Sequence, residues 1–364
     1  MWKVGKKVKP RRREEEEEEL ARLLRSNMED ELAPPAARVH RERTSSVSDD
    51  YNVYKTNEDA TESKKAAVSL GYWSDPFVQY FWPHEASRKD PEINRGYWAR
   101  VQAVQIILNN FLTLAGPKAQ IINLGAGFDT LYWTLQQKGA EFCRYIEVDF
   151  SSVTAKKIHH IMKPSAGVLK KGISEDGSGI EVRAHVDLHG PSFHLIGADL
   201  RQMHELSEKL KSTAVESHLP TLVLCECVLI YMSQEDSARL LRFFGDQFPN
   251  ALFLNYEQIN IDDTFGEVMQ ENLSNRGICL AGAKACGSIA TQSDRFKSAG
   301  WENVRVWSMT EIYEQKLPFA EVKRIEKIEF LDEMELLRQL FDHYCIVLAS
   351  KNQEDLDSLM RNSQ

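Results

Sequence analysis

The sequence predicts a doubly wound α/β fold, in which a mostly parallel sheet is covered by helices on both faces. Three observations carry this prediction. An apolar run at residues 121–124 ends directly in glycines, which is typical of a buried parallel strand that meets a ligand at its carboxyl end. A second apolar run, residues 144–148, ends in Asp149. Further apolar runs then alternate with helical segments, as in chains built from βαβ units.

The glycine turn at residues 125–127 favours a nucleotide ligand that lacks a pyrophosphate. A dinucleotide fingerprint needs a third glycine for close packing of helix and strand, but Thr130 stands there, beside Asp129. A carboxylate would repel a pyrophosphate, whereas S-adenosylmethionine has no phosphate to repel. With Asp149 placed for a ribose, the pattern predicts a class I methyltransferase, and a dinucleotide enzyme is the alternative.

Two further acids follow or interrupt the later strands. Asp199 comes just after the third strand, where it would accept a hydrogen bond from an adenine amine, cap the next helix, or do both. Glu226 interrupts the fourth apolar run, and a carboxylate is rarely buried there without a partner, so it is a candidate site residue. The predicted third to seventh strands are residues 192–196, 220–232, 251–257, 304–307 and 344–349.

A long amphipathic helix precedes the glycine strand. Apolar residues recur at helical spacing within residues 91–116, and the segment ends at a Gly-Pro pair. Arg95 and Arg100 lie near its start, among aromatic residues. They are either solvated charges or anion-binding groups.

The chain ends differ in composition from this domain. Residues 1–58 combine a basic block, six consecutive glutamates and scattered Pro and Ser, which predicts a disordered tail. Its block at residues 6–13 is either a nuclear localisation patch or a solvated tail. We expect a methyltransferase domain at residues 59–351, with a helical cap at 59–116 and helical lid or substrate insertions, and a flexible tail at 352–364.

Composition excludes several other classes of protein. A formal net charge of -9 argues against a nucleic-acid grip spread over the whole surface, although it is compatible with a local basic groove. The six cysteines show no metal-ligand spacing and predict reduced, buried thiols. The adjacent His159 and His160 have no third ligand at a convincing spacing, so we expect helix surface or loop there and no metal. No run of eighteen apolar residues is present, so we expect no membrane span.

The motifs together resemble those of the leucine carboxyl methyltransferases. The resemblance covers residues 61–351, roughly four-fifths of the chain, and is loose only near 163–190. The combination of INRGYWAR, NLGAGFDT and ECVLIYM is specific, whereas the glycine motif alone is not. The matching stretches are KKAAVSLGYWSDPFVQYF, PEINRGYWARV, IINLGAGFDT, YIEVDF, GADLR, PTLVLCECVLIYM, LFLNYEQIN and EVKRIEKIEFLDEMELLRQLFDHYC.

This resemblance implies that the chain uses S-adenosyl-L-methionine to methylate the C-terminal leucine carboxylate of the protein phosphatase 2A catalytic subunit. The resulting leucine methyl ester would regulate assembly of the phosphatase holoenzyme. The resemblance also implies cofactor contacts from the positions that match: Lys64, Arg100 and Glu226 at the methionine end, Gly125 under it, Asp149 at the ribose, and Asp199 with Leu200 at the adenine.

The expected acceptor needs no general base. A terminal carboxylate has a pKa of about 3.3 to 3.7 and is ionised at neutral pH. Catalysis would then be positioning, and we predict that Arg100 and Tyr231 hold the acceptor carboxylate. We expect a monomer in the cytoplasm, with a nuclear pool as an open alternative, and neither nucleic acid nor membrane as partner.

Two other functions are left as alternatives. The related tRNA wybutosine methyltransferase resembles this domain but carries a β-propeller after it, and the printed sequence shows no blade repeats. A catalytically silent module that binds the phosphatase tail is the second alternative. The presence of Lys64, Arg100, Gly125 and Glu226 favours an enzyme over such a module.

Overall fold

One sheet of nine strands organises the part of the chain that the computed structural model describes, residues 46–332 and 334–362. The strands are β1 (Gln120–Leu124), β2 (Arg144–Asp149), β3 (Glu181–Arg183), β4 (Asp187–His189), β5 (Phe193–Gly197), β6 (Thr221–Glu226), β7 (Ala251–Gln258), β8 (Asn303–Ser308) and β9 (Tyr344–Ser350). Their order across the sheet is β3-β4-β5-β2-β1-β6-β7-β9-β8. The five central strands, from β5 to β7, are parallel, and β9 is antiparallel to both of its neighbours. The predicted doubly wound, mostly parallel sheet is confirmed.

Helices cover both faces of this sheet. They are α1 (Ser46–Ser69), α2 (Val78–Phe81), α3 (Pro91–Ala115), α4 (Leu131–Gln137), α5 (Ser151–Met162), α6 (Gly167–Ile173), α7 (Met203–Lys211), α8 (Gln234–Gln247), α9 (Thr264–Asn275), α10 (Ile289–Ser298), α11 (Met309–Gln315), α12 (Phe319–Ile325) and α13 (Met334–Asp342). Short 3-10 helices lie at Gly116–Lys118, Pro164–Ala166, Leu229–Tyr231, Ala283–Cys286 and Leu356–Met360. None of the helices in this described part is long and apolar enough to cross a membrane.

The hydrophobic core forms two layers because strand side chains alternate between the faces. Ile121 packs into the cluster on one face and Ile122 into the cluster on the other, and both are fully buried. Helix α3 contributes Ile107 to the first cluster, and α8 contributes Leu240 to the second. Central strands that are buried on both faces explain why their sequences are continuous apolar runs.

Local signals in the sequence begin and end helices α3 and α8, and the predicted end of α3 at the Gly-Pro pair is confirmed. Helix α3 begins at Pro91 and ends before Gly116, whose φ of +64° favours glycine. Ser233 caps α8, since its side chain accepts a hydrogen bond from the N–H of Asp236 at 3.0 Å.

Strand β6 is shorter than predicted. The apolar run at 220–232 suggests one strand, but β6 ends at Glu226. Cys227 adopts a left-handed φ of 55°, and its N–H donates to the carbonyl of Tyr256 at 2.7 Å. The chain then turns into the 3-10 helix Leu229–Tyr231. An apolar run reports burial, and it does not show where a strand gives way to a buried turn.

Both predicted ends of the domain need correction. Helix α1 begins at Ser46, before the predicted boundary at residue 58, and the Asn57 side chain accepts the Phe128 N–H at 2.7 Å. The segment 352–364, predicted to be flexible, contains a 3-10 helix in which Leu359 is fully buried. The Asn110 side chain donates to the Leu359 carbonyl at 2.8 Å. The predicted disordered tail at 1–45, with its basic patch at 6–13, lies outside the described residues.

The region 151–192 is more structured than its sequence suggests. It forms α5, α6 and the antiparallel pair β3–β4, which extends the sheet beyond β5. His159 and His160 lie in the last turn of α5, so the helix interpretation is confirmed. The two short strands were missed because each has only three residues.

Candidate functional site

A cavity of about 630 Å³ lies at the carboxyl ends of β1, β2, β5, β6 and β7. This edge is where open α/β sheets bind their ligands. Helices α1, α3 and α9 complete its wall. The eight residues predicted to contact the cofactor or the acceptor all line it: Lys64, Arg100, Gly125, Asp149, Asp199, Leu200, Glu226 and Tyr231. The structure therefore brings these residues together, while their individual roles remain predictions.

Two side chains from other parts of the chain pack closely against the glycines of the turn after β1. Gly125 and Gly127 have φ values of +61° and +50°, in the left-handed region. A Cβ on Gly125 would overlap Val228, and one on Gly127 would overlap Asn57. Both glycines are thus required by close packing as well as by backbone conformation. The sequence suggested the turn, but not these partners.

Asp149 holds the glycine turn and faces the cavity at the tip of β2. Its Oδ2 accepts the Gly127 N–H at 2.7 Å, and its Oδ1 accepts the Phe150 N–H at 2.7 Å. Burial raises the pKa of Asp149, although both hydrogen bonds favour the ionised form. Each carboxylate oxygen keeps a second lone pair, which is what two vicinal ribose hydroxyls require.

Asp199 and Leu200 line the cavity beyond the end of β5. The Asp199 carboxylate accepts from the Arg201 guanidinium, with Nε–Oδ1 and Nη2–Oδ2 distances of 2.9 Å. Helix α7 begins at Met203 after Gln202, so the alternative role of Asp199 as its N-cap is wrong. Leu200 is nearly buried and offers an apolar surface beside that carboxylate.

Arg100 and Glu226 form an ion pair across the cavity wall. The Nε–Oε2 distance is 2.5 Å, and each side chain is 13% exposed. Arg100 also lies over the Tyr256 ring, with its guanidinium carbon 4.6 Å from the ring centroid. Burial opposes the charge of Arg100, but Glu226 and the surrounding thiol and phenol groups together outweigh burial and raise the arginine pKa. Glu226 is thus the partnered carboxylate that its sequence position predicted.

Arg95, the other candidate for anion binding, is placed elsewhere. It is buried, and its Nη2 donates to the carbonyl of Glu329 at 2.9 Å. Its role is to tie α3 to the segment after α12, so the predicted part in ligand binding is not supported.

A second ion pair connects α1 with the turn after β1. Lys64 Nζ lies 3.4 Å from Asp129 Oδ1, and the Asn123 side chain donates to Asp129 Oδ2 at 3.0 Å. Burial would raise the pKa of Asp129, but the charges of Lys64 and Lys157 outweigh it and lower the pKa. The fully buried Lys157 also donates to the Asp129 carbonyl at 2.8 Å. Asn123 and Lys157 were missed because they lie within a strand and a helix.

Tyr231 belongs to an aromatic wall that the sequence only partly indicated. It lines the cavity with Tyr97, Tyr256 and Tyr344. The rings of Tyr256 and Tyr344 stack with centroids 5.3 Å apart at an angle of 10°. Tyr256 lies near the end of β7 and Tyr344 begins β9. In the sequence both tyrosines belong to largely apolar segments, so nothing there marks them as residues of the site.

The described residues do not suggest a metal centre. Within residues 46–332 and 334–362, no group of three or more His, Cys, Asp and Glu side chains could hold a metal ion. All six cysteines are unpaired; Cys225, Cys286 and Cys345 are buried, whereas Cys279 is exposed, contrary to the prediction of buried thiols.

The cavity suits S-adenosylmethionine in its chemistry. At one end Lys64 and Arg100 provide cations and Asp129 and Glu226 provide anions, which match the carboxylate and ammonium of an amino acid. Asp149 offers acceptors for ribose hydroxyls. The same carboxylates would repel a pyrophosphate. The fold and the site therefore define an S-adenosylmethionine-dependent methyltransferase of class I.

Comparison with known proteins gives the family. A family model described as leucine carboxyl methyltransferase matches residues 52–245. The chain is 47% identical over 321 residues to leucine carboxyl methyltransferase 1 of Caenorhabditis elegans, which covers 86% of this chain and 96% of that protein. The chain belongs to the leucine carboxyl methyltransferase family and is an S-adenosylmethionine-dependent carboxyl methyltransferase.

Two further similarities are more distant. The chain is 34% identical over 305 residues to tRNA wybutosine-synthesizing protein 4 of Homo sapiens, over 82% of this chain and 44% of that protein. A solved S-adenosylmethionine-dependent methyltransferase from Mesorhizobium loti superposes with a TM-score of 0.39 at 13% identity, over 67% of this chain and 97% of that one. The assignment of the fold rests on the strand order described above.

Proposed function

We propose that this protein transfers the methyl group of S-adenosyl-L-methionine to the α-carboxylate of the C-terminal leucine of the protein phosphatase 2A catalytic subunit. The products are a leucine methyl ester and S-adenosylhomocysteine. A relative named leucine carboxyl methyltransferase 1, 47% identical over most of both chains, supports a leucine carboxylate as acceptor. The motif resemblance described above supports the phosphatase as its carrier.

The observation that carries the chemistry is the absence of a base among the described residues of the aromatic wall. Desolvation raises the pKa of each phenol there, so the hydroxyls stay neutral at physiological pH. It also raises the pKa of the Cys227 thiol to about 12. These phenols are Tyr97, Tyr231, Tyr256 and Tyr344.

The carboxylates near this wall are also unsuited to proton abstraction. Glu226 is paired with Arg100, and Asp129 with Lys64. A hydroxyl or amine acceptor would need a base to remove its proton. A C-terminal carboxylate is already ionised at pH 7. The site therefore supports an acceptor that arrives as the nucleophile.

The chain's own residues would act by positioning. Arg100 can donate to a carboxylate at the cavity wall, while its pairing with Glu226 limits how strongly it neutralises the nucleophile. The neutral Tyr231 hydroxyl can donate one hydrogen bond without adding charge. The bound cofactor supplies an electrophilic methyl group. Holding a carboxylate oxygen in line with that group supplies the effective molarity of the reaction.

The decisive experiment uses radiolabelled S-adenosylmethionine and the phosphatase 2A catalytic subunit, with and without its terminal leucine. We expect label only on the protein that keeps the leucine, and we expect mild base to release it, since a methyl ester is base-labile. Base-stable label, or equal label on the truncated protein, would contradict the proposal.

The alternatives make different predictions in the same assay. Cofactor binding with transfer to tRNA, and none to the phosphatase, would favour the function named for the wybutosine relative. Binding of the phosphatase without binding of S-adenosylmethionine would favour a silent binding module.

A further inference from the structure

The turn that carries Tyr231 is held by two buried charged side chains from other elements. The peptide bond between Leu229 and Ile230 is bound at both of its polar atoms. Its carbonyl accepts from Arg295 Nη2 at 2.9 Å, and its N–H donates to Glu257 Oε2 at 3.0 Å. Glu257 lies on β7 and Arg295 on α10, so two separate elements fix the orientation of one peptide unit.

Both side chains lie in the protein interior, where desolvation disfavours a charged group. Glu257 is fully buried and Arg295 is 8% exposed. Burial raises the pKa of Glu257 to about 7, against the opposing charge of Arg295. Well-packed apolar residues often stabilise a core as well as, or better than, buried charges do. What apolar residues would not supply here is the pair of hydrogen bonds to the turn.

A third contact holds the next peptide of the turn. The Gly282 N–H donates to the Ile230 carbonyl at 2.7 Å. A Cβ on Gly282 would lie 2.7 Å from the Leu229 carbonyl oxygen and 2.9 Å from that of Met232. A side chain at position 282 would collide with the turn, so glycine is what allows the chain to approach it closely here.

Neither charged side chain touches the cavity. Among the described residues that line it are Tyr256 and Gln258, the strand neighbours of Glu257, but not Glu257 or Arg295. Strand alternation explains this, because Glu257 points to the opposite face from Tyr256. Both side chains bind the turn that presents Tyr231 to the cavity, so we expect their effect on methyl transfer to act through this turn.

We propose that Glu257 and Arg295 are positioning residues for methyl transfer, which act by holding the Leu229–Ile230 peptide so that the Tyr231 hydroxyl faces the acceptor carboxylate. This inference rests on the proposed function, since it assigns the tyrosine to the acceptor. A 3-10 turn has poorer internal hydrogen-bond geometry than an α-helix. The hydrogen bond that Arg295 donates and the one that Glu257 accepts together limit rotation of its peptide.

The test is a double-mutant cycle between Glu257→Leu and Tyr231→Phe, measured as kcat and KM for the phosphatase and Kd for S-adenosylmethionine. We expect Glu257→Leu to lower kcat about 10- to 100-fold, with cofactor Kd unchanged within twofold. In the Tyr231→Phe background, Glu257→Leu should lower kcat less than threefold, because the hydroxyl that it would position is already absent. Equal loss in both backgrounds, or no loss in either, would overturn the inference.

Two variants separate positioning from loss of stability. Glu257→Gln keeps a carbonyl oxygen for the Ile230 N–H and should retain most of kcat. Leu359→Ala removes a fully buried side chain that does not line the cavity and should lower the melting temperature without lowering kcat at 25 °C. If Glu257→Leu does not fold, Arg295→Met enters the same cycle with the same expected outcomes.

The wild-type reaction tells the two possible failures apart. No transfer by wild-type protein to leucine-terminated phosphatase contradicts the proposed function. Normal wild-type transfer with an additive cycle contradicts only the positioning role of Glu257 and Arg295.

Discussion

Replacing Asp149 by asparagine tests the cofactor site most sharply, because the change keeps the size of the side chain. In the structure the two carboxylate oxygens accept the N–H groups of Gly127 and Phe150, both at 2.7 Å. An asparagine side chain offers only one acceptor oxygen. Its NH₂ group would face the other backbone N–H, which leaves two donors opposed. The variant also loses an acceptor for a ribose hydroxyl.

The magnitude follows from the number of hydrogen bonds lost. A hydrogen bond to a charged group contributes about 1.5 to 3 kcal/mol. If one such bond to the cofactor is lost, the Kd for S-adenosylmethionine should rise about 10- to 150-fold. Distortion of the glycine turn would add to this effect. We therefore expect at least a tenfold rise in Kd.

Isothermal titration calorimetry with S-adenosylmethionine measures this change directly. Asp246→Asn is the matched control, because Asp246 is largely exposed, lies 3.4 Å from Lys351 and is not among the residues that line the cavity. That variant should bind with a Kd within twofold of wild type. A Kd for Asp149→Asn within threefold of wild type, in protein with an unchanged circular dichroism spectrum, would refute the assignment of Asp149 to the cofactor.

Three further predictions follow from the same geometry. Gly125→Ala places a Cβ against Val228 at a left-handed φ. The free energy of unfolding in urea should therefore fall by at least about 1 kcal/mol, and the cofactor Kd measured by calorimetry should rise. Tyr231→Phe should lower kcat about 10- to 100-fold in the methyl-transfer assay with cofactor Kd unchanged, and an unchanged rate would remove this hydroxyl from catalysis. Burial lowers the pKa of His160 to about 4 in the folded protein, while the unfolded chain takes up a proton near 6.5, so its contribution to stability is lost as pH falls through this window. The test is urea unfolding of wild type and His160→Gln at pH 7 and pH 5. Between these pH values the free energy of unfolding of His160→Gln should fall by about 1 kcal/mol less than that of wild type, a figure reduced for the partial exposure of His160. An identical fall in both proteins would contradict this.

The sequence predicted the parts of the site that are encoded locally. Asp149 and Glu226 each end or interrupt an apolar run, and the glycines at 125 and 127 directly follow one. Such positions can be identified because the carboxyl ends of parallel strands meet at one edge of the sheet. This rule needs no knowledge of which residues pack together.

Contacts between distant residues were beyond such reasoning. The Arg100–Glu226 pair joins residues that are 126 positions apart, and no spacing pattern reports that distance. The start of α1 was missed because polar and charged residues dominate its sequence, so it has no apolar stripe to reveal a helix. Its contact with the glycine turn, through Asn57 and Phe128, is visible only in the folded chain. Glu257 was hidden in the same way, inside a strand predicted for its apolar run.

The most direct test of the central claim is to locate the transferred methyl group by mass spectrometry of the intact phosphatase 2A catalytic subunit after reaction. We expect one added methyl group, found on the C-terminal leucine peptide, lost on mild alkaline treatment and at least about tenfold less abundant in the Tyr231→Phe reaction at matched early times. A methyl group on a side chain, or one that survives alkali, would contradict transfer to a terminal carboxylate.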